Sequence, residues 1–258
     1  MRGKGTTGWK RWLYPVLLLA ALVGLWQILA DTGALADVFG VEPFLVPSPS
    51  EIASALWDNR SLLLENGWVT LREILLGFLC ALVAGLVFAV AMHLSGTVRR
   101  ASYPLVVASQ TIPIVAIAPI LIIWFGYGIV PKLFIIALIC FFPITVNALD
   151  GLRSVEPEAI KLMRTLDASR WQTFQRVEVP TALPQSFTGA KIAAAITAIG
   201  AVFAEWAGSS SGLGYLIQHD VANFETARMF AEVALLSAIA LVLYGLVALA
   251  ERLVVTWR

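Results

Sequence analysis

The sequence predicts an all-α, polytopic membrane helix bundle. Three observations predict it: an apolar composition, uncharged runs of bilayer-spanning length, and one polar island that interrupts them. Of 258 residues, 59% are hydrophobic and 14% charged, with a mean hydropathy of +0.82. A soluble chain of this length needs far less apolar material to fill its core.

Uncharged apolar runs long enough to span hydrocarbon occupy residues 13–30, 74–92, 105–127, 133–149 and 233–250. A sixth run, 185–207, carries Lys191 near one end and Glu205 near the other. It counts as a span because charges so placed can reach an interface or a protein interior. Six transmembrane helices are therefore expected. The first run reads as a retained anchor, since its apolar core is long and no small-x-small cleavage site comes after it.

Orientation follows from the basic residues. Arg2, Lys4, Lys10 and Arg11 precede the first span, Arg99 and Arg100 lie between the second and third, and Arg153, Lys161, Arg164, Arg170 and Arg176 fill the island. With six spans all of these, and Arg252 and Arg258, fall on one side, which the positive-inside rule makes cytoplasmic. Both termini are then cytoplasmic, in a multi-pass membrane protein. The first outer segment agrees, with Asp31, Asp37, Glu42, Glu51, Asp58 and Glu65 against a single Arg60. Within it Ser48, Pro49 and Glu51 form a helix-start signal, and Ile52, Ala55 and Leu56 continue an amphipathic pattern. The chain thus divides into residues 1–68, holding the N-terminal tail, first span and outer amphipathic segment, and residues 69–258, a five-helix core with its polar loop at about 153–184.

The island, residues 151–184, predicts a helix, a sharp turn and a second helix. Pro157 suits a first helical turn, and Ala159, Leu162, Met163 and Leu166 recur at three- and four-residue spacing. Asp167 and Ala168 interrupt the pattern. Ser169 and Gln172 make a capping box that starts a second short helix with Trp171, Phe174 and Val177 on one face. Pro180 and Pro184 are expected to stop it. A membrane chain that keeps one such loop on its inner side offers it to a soluble partner; a solvated helix pair lying against the bilayer is the plainer alternative.

Chemistry of other kinds is sparse. Cys80 and Cys140 fall in apolar runs and read as small core residues, with no disulfide or metal spacing. Gly208, Gly212 and Gly214 lack the Lys-Ser/Thr pair of a phosphate-binding loop and read as a flexible outer turn. His93 and His219 belong to no ligand cluster. Polar groups within the spans are the candidates for a solute pathway: Gln110 and Thr111 before Pro113, Asn147 after Pro143, and Glu205. Breaks at such prolines are tolerated where protein or a water-lined cavity satisfies the freed backbone; interhelical hydrogen bonding is the plainer role.

Several motifs carry a resemblance. The island resembles the EAA-type cytoplasmic coupling loop of permease subunits of bacterial ATP-binding-cassette (ABC) importers. Lys161-Leu162-Met163 stands at the Glu-Ala-Ala position, Asp167 at the central Gly, and Val179-Pro180 at Leu-Pro. Val46-Pro47-Ser48-Pro49-Ser50-Glu51, Thr70-Leu71-Arg72-Glu73, Ser109-Gln110-Thr111-Ile112-Pro113, Trp124-Phe125-Gly126-Tyr127-Gly128, Ala168-Ser169-Arg170-Trp171 and Gly212-Leu213-Gly214-Tyr215 resemble the nitrate, sulfonate, taurine and pyrimidine-precursor permease group. The run from Gly151 through Leu166 most resembles members assigned to thiamine pyrimidine precursors or riboflavin.

The resemblance implies the ABC importer permease fold with a cytoplasmic coupling helix, and a transport subunit without catalytic residues, metal or cofactor of its own. ATP and Mg would sit on partner ATPase subunits. The implied partners are those ATPases, an external solute-binding protein, a second permease chain forming a homodimer, and membrane lipid, with no nucleic acid. It assigns ATPase coupling to Leu166, Asp167, Ala168, Ser169, Trp171 and Phe174, beside the pathway candidates above. Two readings of other classes stand against it. An intramembrane enzyme would need Glu205, His219 and Asp220 to converge, and a secondary transporter would need charges deep in the spans or an inverted repeat.

Overall fold

The computed structural model describes residues 8–257, with side chains described from Leu13 onward. Every regular element in that range is helical: α1 (Gly8–Asp31), α2 (Ala34–Phe39), a 3-10 turn (Pro43–Leu45), α3 (Pro49–Asp58), α4 (Arg60–Leu94), α5 (Gly96–Ala108), α6 (Ile114–Phe125), α7 (Ile129–Arg153), α8 (Pro157–Thr165), α9 (Arg170–Thr173), a π-helical stretch (Phe174–Glu178), α10 (Val179–Gly208), α11 (Leu213–Ala222) and α12 (Thr226–Val254). Five helical segments among the described residues are long and apolar enough to cross a membrane: Leu13–Asp31, Arg60–Leu94, Ile129–Arg153, Arg170–Gly208 and Thr226–Val254.

The third apolar run of the sequence is built from two shorter helices. α5 ends at Ala108, and α6 starts after Pro113, whose extended backbone (φ −64°, ψ 115°) serves as its N-cap. Proline disfavours helix in the residue before it, so the chain turns through Gln110 and Thr111, where Gln110 N–H reaches the Val107 carbonyl and Thr111 N–H that of Ala108. Pro143 has no such effect on α7, which runs on to Arg153.

Two units are distinguished by their internal contacts. One comprises the chain up to Leu64 with Leu216–Ala234. Its α1 is apolar on all sides with its spanning window exposed, as a lipid-facing helix is. α3 carries the expected capping box, with Glu51 N–H on Ser48 Oγ and Ser48 N–H on Glu51 Oε2 at 2.7 Å. Gln27 of α1 holds the start of α3 through Ser50, donating to its Oγ at 2.9 Å and accepting from its N–H at 3.0 Å. On α11, fully buried Asp220 receives both Nε and Nη2 of Arg228.

The other unit, Glu65–Tyr215 with the chain from Leu235 onward, is organised around α7. Ile136 and Ile144 of α7 are fully buried. Gly77 and Gly85 of α4 face them from one side, and Gly200 of α10 faces Ile136 from the other. α10 meets α7 along most of its length with small residues, Ala182, Gly189, Ala193, Gly200 and Ala204, at alternating seven- and four-residue spacing. In lipid, where apolar surface gains nothing by leaving solvent, close backbone approach of this kind holds helices together.

Melting curves test both units. A Cβ on Gly189 would lie 2.5 Å from the Pro143 carbonyl oxygen and 2.8 Å from Asn147 Cβ, so Gly189→Leu should destabilise the detergent-solubilised protein by at least about 1–3 kcal/mol, while Gly24→Ala, inside α1 with nothing within 4 Å, should leave its melting temperature unchanged or slightly raised. Burial alone would raise the Asp220 carboxyl, but hydrogen bonds from Arg228 and His219 outweigh it and hold that carboxyl below the usual carboxylate range, with Glu232 beside them. A depressed carboxyl contributes its stability above the unfolded value of about 3.9 and loses it as pH falls through the folded one. Asp220→Asn should therefore cost about 1.5–3 kcal/mol at pH 7, and the difference from the parent should shrink in melting curves taken below pH 4.

Candidate functional site

The polar island folds as a hinge on the end of α10. α8 closes with a Schellman motif: Ala168 N–H bonds the Met163 carbonyl at 3.0 Å and Asp167 N–H that of Arg164 at 3.1 Å. The motif requires a left-handed residue at Asp167, which has φ 58°. Ser169 then makes its capping box, accepting from Gln172 N–H at 3.2 Å while its own N–H reaches Gln172 Oε1 at 2.8 Å.

Beyond the capping box the chain departs from the sequence expectation. The second helix does not stop at Pro180 or Pro184; α9, the π stretch and α10 form one continuous helical segment, Arg170–Gly208. Proline needs relief from the carbonyl four residues before it. The wider π turn at Phe174–Glu178 lies immediately upstream, and such turns accommodate this kind of interruption.

Of the six residues assigned to coupling, Phe174 is buried, with Leu152 and Ala182 around it. The others lie at the surface or half-buried, and Leu166 is 68% and Trp171 58% exposed. Trp171 stacks on Phe174 with ring centroids 5.3 Å apart. Leu162, 60% exposed, adds to the apolar surface of this loop. The C-terminal end of α4 fixes the hinge: His93 Nε2 lies 2.8 Å from Glu178 Oε2, and Arg170 Nη2 donates to the Leu94 carbonyl at 3.2 Å. His93 and Glu178 carry no local signal for this pairing, being 85 positions apart.

The four pathway candidates are not brought together. Gln110 and Thr111 are exposed in the α5–α6 turn, Thr111 Oγ1 donating to the Ala108 carbonyl. Asn147 is half-buried and donates at 2.7 Å to the Pro143 carbonyl, where α10 passes with Gly189. Glu205 is fully buried at the far end of α10 from the hinge. Its Oε1 accepts from Thr70 Oγ1 at 2.7 Å and its Oε2 from Gly214 N–H at 2.5 Å and Tyr215 N–H at 3.2 Å. The carboxylate thus caps the N-terminus of α11, where a negative charge is favoured. Thr70 Oγ1 accepts from Leu213 N–H and Asn66 Oδ1 from Gly212 N–H, both at 2.8 Å. A side chain on Gly212, at φ 114°, would run into the Glu205 carboxyl. The glycine-rich turn, read from sequence as flexible, is pinned throughout. Asp220 is engaged by Arg228 and His219.

Glu205→Ala should leave these donors without an acceptor and speed amide exchange at residues 212–215 by at least about tenfold, with a smaller effect from Glu205→Gln, whose carbonyl can take one backbone bond while its amide donates to Thr70. Unchanged exchange in the Ala variant would remove the capping role.

Comparison with known proteins gives a consistent picture. The family described as binding-protein-dependent transport system inner membrane component matches residues 78–256. The formylaminopyrimidine transport permease protein ThiX of Halalkalibacterium halodurans is 37% identical over 95% of this chain and 96% of its own. The riboflavin transport system permease protein RibX of Chloroflexus aurantiacus is 37% identical over 95% of this chain and 89% of its own. Among solved structures, a chain of the inward-facing MetNI methionine ABC transporter superposes with a TM-score of 0.63 at 19% identity, covering 76% of this chain and 97% of that one; at that identity the likeness is one of fold.

Proposed function

We propose, from the premise that the chain belongs to the family of binding-protein-dependent transport system inner membrane components and is a transport subunit rather than an enzyme, that it forms the solute path of an ABC importer and takes its drive through the hinge at residues 157–178. The carrying observation is the pairing of exposed Leu162, Leu166 and Trp171 with buried Phe174: an apolar surface on a fixed base, which is what a soluble ATPase needs to grip a membrane helix.

The mechanism rests on helix continuity. The segment Arg170–Gly208 has 39 residues, about 58 Å at 1.5 Å per residue. Its first turn carries Trp171 and its last carries Glu205. A displacement imposed on the hinge when two ATPase subunits close around ATP and Mg is carried along the length of α10 to the loop that Glu205 caps. In the proposed orientation, with both termini cytoplasmic, that loop is on the outer side, where an external solute-binding protein delivers cargo. Two copies of the chain would enclose the path. The cargoes named for the two relatives, a formylaminopyrimidine and riboflavin, support a small organic cargo of the thiamine pyrimidine precursor or riboflavin kind. The nitrate, sulfonate or taurine type is the alternative cargo class.

Trp171→Ala and Leu166→Asp, both at exposed positions, should lower ATPase affinity in detergent by about tenfold or more, as losses at aromatic hot spots do, while the permease keeps its elution volume and melting temperature. Full retention of the ATPase by both variants would take the docking role away from this surface.

A further inference from the structure

We propose that the apolar groove bounded by α4, α7, α10 and α12 seats one acyl chain of an anionic phospholipid from the membrane leaflet on the hinge side. The inference rests on the protein spanning a bilayer and stands apart from the importer reading. The groove measures about 400 Å³, and its walls include Phe78 and Leu86 of α4, Leu152 of α7, Val179 and Phe187 of α10 and Val247 of α12. Sites for small ligands fall in this size range.

Its shape and chemistry suit a hydrocarbon tail. Along α4 the lining runs from Phe78 to Val90, about 18 Å at 1.5 Å per residue, and one leaflet of a hydrocarbon core of about 30 Å is about 15 Å deep. Along α10 it runs from Val179 to Ala190, so the groove follows the helices rather than crossing them. Among the described residues that line it, Ser186 has the only polar side chain, and its hydroxyl already donates to the Ala182 carbonyl at 2.9 Å. Water therefore finds no partners there, and an empty void of this size is foreign to a packed interior. Phe78, Ala89 and Leu152 are buried at its floor, whereas Leu86 is exposed and Val247 half-buried at its rim. The rim helices also expose Val83, Val87, Leu246 and Leu249, so hydrocarbon is the medium at its mouth.

The end nearest the hinge supplies partners for a headgroup. Val90 and Val179 pack there against Leu152, Ala182 and Phe174. Arg153 follows Leu152 directly, Arg176 stands one helical turn before Val179, and both are exposed. Cations placed beside a span attract anionic headgroups. Through Leu152 and Ala182 the seated tail touches the cluster that holds Phe174, on which Trp171 stacks. The lipid is thereby part of what supports the hinge.

The test places the protein in phosphatidylcholine vesicles that carry a small share of either phosphatidylglycerol or phosphatidylcholine with a diazirine in the acyl chain. After irradiation, peptide mass spectrometry maps the label. Label should appear at Leu183 and Phe187 of α10 as well as along the exposed α1, and phosphatidylglycerol should give more of the α10 label than phosphatidylcholine. Leu86→Trp and Val247→Trp, which enlarge rim side chains on different helices, should each abolish the α10 label and leave that on α1; if the melting curve shows one of them misfolded, the other decides. Arg153→Ala combined with Arg176→Ala should remove the headgroup preference. Absence of label at Leu183 and Phe187 in the parent, as when a second copy of the protein covers the groove, overturns the site, and so does label that persists in the rim variants. Equal labelling by the two headgroups overturns the anionic assignment.

Discussion

The close contact between α7 and α10 is the constraint on which the other features rest. A helix that carries motion from one end of a core to the other must stay in register with its neighbour, and in lipid no hydrophobic force presses the two together. Register comes instead from interlocking shapes. Ile136 sits between Gly77 and Gly200, and Ile144 faces Gly85, so α7 is held on both sides by residues that leave it no room to slide. Packed interiors pass displacement on because they are close-packed and poorly compressible. In the proposed mechanism the hinge at Trp171 and the cap at Glu205 act as two ends of one device because this contact makes the segment between them stiff.

The second requirement is that buried polar atoms be satisfied inside the protein, and each local irregularity reflects it. Asn147 donates to the carbonyl of Pro143. The wide π turn accommodates Pro180 without ending the helix. The first amides of α11 find the Glu205 carboxylate rather than water.

What could be read in the sequence was what local chemistry dictates. The capping boxes at Ser48 and Ser169, the first-turn role of Pro157, the turn at Asp167 and the break before Pro113 all involve residues within five positions of each other, and their geometry matches expectation. The fold class was legible for the same reason, since bilayer length and hydropathy act on contiguous runs. Continuity through Pro180 was not legible, because a π turn has no sequence signature of its own. Nor were His93 with Glu178, Thr70 with Glu205, or Lys132 with Glu73, since each pair meets only after the helices have packed. Glu73 and Lys132, joined by a bond from Lys132 Nζ to Glu73 Oε1, also sit just outside the uncharged runs that marked the spans, so hydropathy did not single them out; the longer helices of the structure draw both into the core.

The departures of the hinge from the importer family's pattern can be judged on the same physical grounds. Asp167 stands where the pattern has glycine. A left-handed non-glycine residue costs roughly 1–2 kcal/mol, less for Asp than for most, while replacing glycine removes about 0.4–1 kcal/mol of unfolded-state freedom, so the two effects nearly cancel. The conformation is imposed by the bonds from Ala168 and Asp167 back to Met163 and Arg164, which any residue able to enter that region can make. The turn, and with it the position of Trp171, therefore survives the change of residue. Lys161 differs in kind. It is exposed on α8, so its charge alters no packing within the chain; it alters what an ATPase must present. A partner surface shaped for a glutamate offers a cation, whereas one shaped for Lys161 offers a carboxylate or carbonyl, so under the proposed docking this sign change would restrict the hinge to an ATPase whose groove complements a cation.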